Sequence, residues 1–249
     1  MLKINNKPLI FYAINKIFKN KLKYRCISSD SSKILNISNK IGLKNFFIRP
    51  KKLSTSNVSK LMVWKHALIE SEKYFNKKFK YFLDIEITNP LTDQSDLKKF
   101  LKDFYKVKNK YDGMFCSRDS WKNPFFNILV KKQNKYVVAN QTRKKIVSRQ
   151  KAPKTIDHIA AMYIFNSNYV KNSNFLLNGK LKTFTLPLLK SIDKSNPLSN
   201  SKKASWFSIK FSFSLQCANP VLILATTSLS EQTGQHLLLS ISSSCKMYS

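Results

Sequence analysis

Apolar positions recur along this chain with two periods. Ile10, Ile14, Ile17 and Phe18 fall on one helical stripe, and Leu97, Phe100, Leu101 and Phe104 repeat it at i, i+3, i+4 and i+7. Val58, Leu61, Met62, Leu68 and Ile69 predict a third helix. Between these lie short runs of aromatic and β-branched residues closed by turn formers. They are Tyr24 to Ser28, Phe46 to Arg49, Tyr81 to Thr88, Gly113 to Ser117, Ala160 to Phe165 and Thr183 to Pro187. Phe126 to Val130 and Tyr136 to Ala139, around Gln133-Asn134, read as a hairpin. Strand, helix, strand in repetition predicts an α/β domain with a mainly parallel sheet covered on both faces.

The run Tyr81-Phe82-Leu83-Asp84-Ile85-Glu86-Ile87-Thr88-Asn89-Pro90-Leu91 carries the most chemistry. Side chains alternate along a strand, so Asp84, Glu86 and Thr88 share one face and Leu83, Ile85 and Ile87 the other. Two carboxylates at the end of a buried strand are costly unless something pairs them. A divalent metal at Asp84, a cationic partner, a polar substrate or nearby lysines would each do so. In open α/β sheets, ligands bind beyond the carboxyl ends of the strands, which is where this pair falls.

Composition adds a charge to be explained. The 249 residues carry a formal net charge of +32, which ordinarily points to nucleic acid or an anionic surface. Only five of the basic residues are arginine, and the lysines are dispersed among Asn, Ile, Phe and Tyr. That dispersal argues against a dedicated nucleic-acid site, which would cluster charge and use arginine for bidentate contacts. Cys26, Cys116, Cys217 and Cys245 form no CxxC pair, and His66, His158 and His236 have no ligand spacing. No signal peptide is visible, so a cytoplasmic location is expected. From about Ala204 lysine becomes sparse, and Phe211 to Ser230 carries no charge. Polar residues and Pro220 interrupt this stretch, so no membrane span is expected. Residues 1–202 are therefore read as one α/β domain, and 203–249 as an atypical tail, disordered or frameshifted.

Several segments resemble acylneuraminate (CMP-sialic acid) cytidylyltransferases. Asp84-Ile85-Glu86-Ile87-Thr88-Asn89-Pro90-Leu91 is similar to their D-L-D-V-T-S-P-L-R, with Thr92 at the arginine. Asn6-Lys7-Pro8-Leu9-Ile10 with Tyr12 resembles N-G-K-P-L-I-x-Y, and Ile27-Ser28-Ser29-Asp30-Ser31 resembles V-S-T-D-S. Arg49-Pro50 with Leu53-Ser54 and Val63-Trp64-Lys65-His66-Ala67-Leu68 follow in the family's order. So do Lys122-Asn123-Pro124-Phe125-Phe126-Asn127, Arg149-Gln150, and Ala161-Met162-Tyr163-Ile164, where Ile159 stands at a usual Asn. Ser191-Ile192-Asp193 begins S-I-D-I-D-T, but Ser195 replaces the second aspartate.

The resemblance implies a three-layer α/β/α nucleotide-diphospho-sugar transferase fold, Rossmann-like, with a small β excursion for dimerisation. It implies CTP and an acidic nine-carbon sugar as substrates, Mg²⁺ as cofactor, and a homodimer. By the same carry-over, Asp193 is the catalytic metal ligand and Asp30 lies near the nucleotide. Glu86, Arg149, Gln150 and Tyr163 face the sugar. In the family a first strand and a glycine-containing phosphate loop precede the Lys7-Pro8 segment. No glycine lies near the start here, so a truncated N-terminus and slow or absent turnover are expected. A binding-only relative and a basic nucleic-acid-binding protein are the alternatives.

Overall fold

A computed structural model of the chain describes residues 3–142, 146–191, 222–224 and 237–240. The first strands, β1 (Lys3–Ile4) and β2 (Lys7–Pro8), make a two-residue hairpin. Asn5 and Asn6 turn it at φ 47° and 59°, a backbone region in which asparagine costs less than most residues. Helix α1 (Leu9–Lys19) follows and buries Ile10, Ile14 and Ile17. Strand β3 (Cys26–Ser28) leads into α2 (Ser32–Lys40), and Gly42 at φ +95° turns the chain after it.

Residues 46–49, expected as a strand, form none. Arg49 makes one ladder-like bond, its N–H donating to Ser29 O at 3.0 Å, while Ile48 points outward, 61% exposed. Helix α3 (Lys60–Phe75) is as expected in type but not in stripe. Leu61, Val63, Trp64, Ala67 and Leu68 face the sheet, and Met62 is exposed. The pattern there is blurred because Lys60 and Trp64 occupy inward positions.

Strand β4 (Tyr81–Ile85) is buried at every position. Helix α4 (Gln94–Val107) starts with a capping box between Asp93 and Asp96, and buries the predicted stripe of Leu97, Phe100, Leu101 and Phe104. Strand β5 (Gly113–Asp119) needs its first glycine, because a Cβ there would lie 2.3 Å from Phe165 Cδ1. Strands β6 (Leu129–Lys132) and β7 (Lys135–Val138) form the expected hairpin, turning at Gln133 with φ 52°. Strand β8 (Ile156–Asn166), the short helix α5 (Ser167–Asn172) and β9 (Leu181–Thr185) complete the main body.

Five strands form one sheet in the order β11-β4-β8-β5-β9, where β11 is Leu237–Ser240. β4 runs parallel to β11, and β5 parallel to β9; β8 is antiparallel to both β4 and β5. The remaining strand, β10 (Leu222–Leu224), pairs antiparallel with β3. The sheet separates two apolar layers. One packs Ile10, Ile14, Leu97 and Phe100 of α1 and α4 against Leu83, Ile85 and Ile164. The other packs Trp64, Ala67 and Leu68 of α3 against Phe82, Phe115, Tyr163 and Phe165. This is the three-layer α/β/α arrangement that the periodicity predicts, with one antiparallel strand inserted at its centre. No helix among the described residues is long and apolar enough to cross a membrane.

Candidate functional site

The site is built at the carboxyl end of β4. The register places Asp84 opposite Tyr163 of β8, so both side chains lie on the face covered by α3. Pairing with β8 continues one residue past the strand, since Glu86 N–H donates to Ala161 O at 2.9 Å. Glu86 therefore keeps the alternation and joins Asp84 on that face, as expected. Both carboxylates are fully buried.

A cation that pairs with both is Lys60, the first residue of α3, which none of the family motifs marks. Ser59 caps that helix, its Oγ accepting from Met62 N–H at 3.4 Å. The Lys60 side chain then crosses the faces of Tyr163 and Trp64, with Nζ 4.3 and 5.3 Å from the ring centroids. It donates to Glu86 Oε1 and lies 3.1 Å from Asp84 Oδ2. Burial alone would depress the Lys60 ammonium, but the Asp84 and Glu86 carboxylates outweigh it and hold its pKa well above the ordinary lysine value. Burial, which Lys60 only partly offsets, pushes the Tyr163 phenol well up, so it stays protonated at neutral pH. His158 packs edge-on against Tyr163, with ring centroids 5.4 Å apart.

The cation between the two carboxylates is the ammonium of Lys60, and no three His, Cys, Asp or Glu converge among the described residues. Asp84 is thus an ion-pair partner in this arrangement. Asp193 and Ser195 lie outside the described residues. The chain leading to Asp193 is nevertheless anchored. Arg118, which pairs with Asp157, donates to Ser191 Oγ at 3.3 Å, and Lys190 Nζ reaches Asp93 Oδ2 and Asp96 Oδ2, each at 2.7 Å.

The loop after β4 is held from beneath by Lys16 of α1. Its buried ammonium donates to Thr92 Oγ1 at 2.6 Å and Asn89 O at 3.3 Å. Thr92, where the family motif has arginine, thus receives a cation from another element. Asp30, expected near the nucleotide, lies just before α2. The cap position belongs to Ser31, and Asp30 Oδ1 accepts from the buried Arg49 at 3.1 Å. Arg49 Nε also donates to Ser54 Oγ at 2.9 Å, which explains why Arg49-Pro50 and Leu53-Ser54 travel together in the motif.

Arg149 and Gln150 sit on an exposed 3-10 turn, Arg149–Lys151, shortly before β8. Tyr163, on β8 itself, joins the Asp84–Glu86 cluster. Two hollows lined by described residues lie at the other end of the sheet. One is lined by Glu72, Lys73 and Lys171, the other by Lys80, Lys108, Lys110 and Lys180. Lysines dispersed in sequence are gathered there, but away from the carboxylates.

The fold is similar to solved nucleotidyltransferases. It matches a CMP:2-keto-3-deoxy-manno-octonic acid synthetase complexed with CTP at a TM-score of 0.53 and 11% identity, over 82% of this chain and 90% of that one. It also matches 4-diphosphocytidyl-2C-methyl-D-erythritol synthase from Anaerococcus prevotii at 0.50 and 10% identity, over 79% and 84%. In sequence the chain is 28% identical to post-translational flagellin modification protein B of Campylobacter coli over 197 residues, 79% of this chain and 82% of that protein. It is 29% identical to CMP-N,N′-diacetyllegionaminic acid synthase of Campylobacter jejuni over 219 residues, 88% of this chain and 89% of that protein. A sequence profile described as cytidylyltransferase matches residues 1–193. Matched over most of its length, this chain belongs to the cytidylyltransferase family.

Proposed function

We propose that this protein transfers CMP from CTP to a nine-carbon 2-keto sugar acid of the sialic type, in the supply of surface-glycan precursors. The anomeric hydroxyl attacks the α-phosphorus, the bond to the β-phosphate bridge breaks, and pyrophosphate leaves. The observation that carries the sugar half is the buried Asp84–Glu86 pair beside Tyr163 at the carboxyl end of β4. Fixed carboxylates accept hydrogen bonds from hydroxyl and amide groups, which a sugar acid bearing acylamino groups presents. The 29% identity to a CMP-N,N′-diacetyllegionaminic acid synthase supports the same substrate class.

In this reading Glu86 and Tyr163 face the sugar, and Arg149 with Gln150 holds its carboxylate by bidentate contact. Asp30, braced by Arg49, lies near the nucleotide. CTP enters as its Mg²⁺ complex, with Asp193 on the metal side. The Leu129–Val138 hairpin, with Leu129 56% and Tyr136 68% exposed, supplies the face for a homodimer. The supply of CTP places the reaction in the cytoplasm. The assay is pyrophosphate release from CTP and Mg²⁺ across a panel of nonulosonic acids. Release that depends on both substrates is expected. A folded protein that releases none and binds no sugar acid overturns the proposal. Ser195 at the second aspartate favours one other outcome, in which both ligands bind without turnover.

A further inference from the structure

We propose that this protein docks peripherally on an anionic lipid bilayer through the end of the sheet opposite the candidate site. The contact is made by lysines around the two hollows and by the exposed side chains of Phe175 and Leu177. The inference goes beyond the proposed reaction and does not depend on which sugar acid is used. It gives a role to positive charge that the reaction leaves unused.

Topology gathers the charge. The amino ends of β4, β5 and β9 meet the carboxyl end of antiparallel β8 here, as the pairs Tyr81–Asn166, Gly113–Phe165 and Gly113–Leu181 place them. Helices α3 and α4 also finish at this end. The dipole at a helix carboxyl end accounts for Lys73 and Lys106, which lie in the last turns. It does not account for Lys77, Lys78, Lys80, Lys110 and Lys180, which lie outside the helices. Of the described residues lining the two hollows, eight are lysine, none is arginine, and only Glu72 and Asp112 are acidic. Both carboxylates are already engaged. Glu72 accepts from Lys78 and Lys171, and Asp112 accepts the backbone N–H of Lys180.

The second observation is apolar and independent of charge. The loop between α5 and β9 is built on Tyr169, whose ring stacks on Phe165 with centroids 5.4 Å apart. The Tyr169 hydroxyl donates toward the carbonyls of Phe175 and Leu176, at 3.0 and 3.1 Å, and accepts from Asn178 N–H at 3.2 Å. A Cβ on Gly179 would come within 2.5 Å of Tyr169 Cε2, so the chain there passes as close to the ring as only glycine allows. Leu176 turns inward onto the apolar layer beneath α3, while its neighbours turn out: Phe175 is 70% exposed and Leu177 51%. A braced loop that shows two large apolar side chains to water marks a contact surface. Lys171 and Lys180 flank it, and each lines one of the hollows.

The combination selects the partner. Ammonium groups around exposed apolar side chains match a bilayer with anionic headgroups. The lysines meet phosphates, and Phe175 and Leu177 enter the boundary with the acyl chains. A nucleic-acid groove would grip phosphates bidentately with arginine and stack bases on aromatic rings, and it has no use for Leu177. Docked in this way, the carboxyl end of β4 stays on the aqueous side, open to substrates.

The test is co-sedimentation of the full chain with vesicles of phosphatidylcholine, alone or with about one third phosphatidylglycerol, at about 0.1 M salt. Binding to the anionic vesicles and not to the neutral ones is expected. Lys110→Glu with Lys180→Glu, both exposed, should weaken it by roughly thirtyfold or more. Lys98→Glu with Lys99→Glu makes the same change of charge at exposed positions near the start of α4. It should weaken binding by no more than about threefold, which separates a local surface from net charge. Phe175→Ser with Leu177→Ser leaves the charge unchanged and should weaken binding by about tenfold. Thermal unfolding checks that each variant is folded, and the preference of the wild type for anionic vesicles needs no variant at all. Equal losses for the two lysine pairs, no loss for the Phe175 and Leu177 pair, or no preference for anionic vesicles overturns the proposal. Binding to a nucleic-acid duplex with none to anionic vesicles overturns it too, and assigns the surface to nucleic acid.

Discussion

Lys16 offers a prediction whose size follows from its surroundings. The residue is 4% exposed, its ammonium donating to Thr92 and to the Asn89 carbonyl, and its pKa falls from 10.5 to about 8. Burial is the largest cause, opposed by Asp96, Cys116 and Asp93. The folded-state value lies below the unfolded one, so between about pH 8 and 10.5 the unfolded chain binds the extra proton. Stability must therefore rise as pH climbs through that window, and below it the native state carries the cost of a buried charge. At 1.36 kcal/mol per unit, that cost is on the order of 3 kcal/mol, of which roughly 2–3 kcal/mol is relieved between pH 7 and pH 10. The perturbation is Lys16→Met, which keeps the stem and removes the charge. Urea unfolding of both proteins should be followed from pH 7 to pH 10, so that effects of other lysines cancel in the difference. The stability difference should move toward the wild type by the stated amount. A difference constant within about 0.5 kcal/mol would refute the claim that Lys16 is charged, desolvated and weakly compensated.

Three further outcomes are expected. Arg149→Ala should weaken sugar-acid binding by about 1.5–3 kcal/mol, as for a charge-assisted hydrogen bond, and leave CTP binding nearly unchanged in calorimetry. Val130→Lys, at a position 45% exposed on the hairpin, should shift light scattering toward a monomer while the Tm stays close to wild type. Lys194→Ile with Ser195→Asp restores the aspartate pair of the family motif and should raise pyrophosphate release if metal geometry limits turnover; a restored aspartate contact of this kind is worth about 10²–10³ in rate.

Periodicity alone determined α1 and α4, because each buries one continuous apolar stripe. It also determined β4, β5 and the hairpin, and the local motifs located Asp84, Glu86 and Tyr163 on the right elements. It missed at 46–49, where one backbone bond, from Arg49 to Ser29 beside β3, does not make a strand, and at Met62, where an apolar side chain faces solvent. The antiparallel direction of β8 was illegible, since strand direction depends on how the chain returns after a long excursion. The partners of the charged residues were equally hidden. Lys60 lies 26 residues from Glu86, and Lys16 lies 76 from Thr92. In a chain with 45 lysines and arginines, no local signal marks which of them turn inward against Asp84, Glu86 or Thr92. Spacing decides which face a side chain takes within its own element. Which charge it then meets depends on how separate elements pack, and packing is settled only when the two apolar layers close on the sheet.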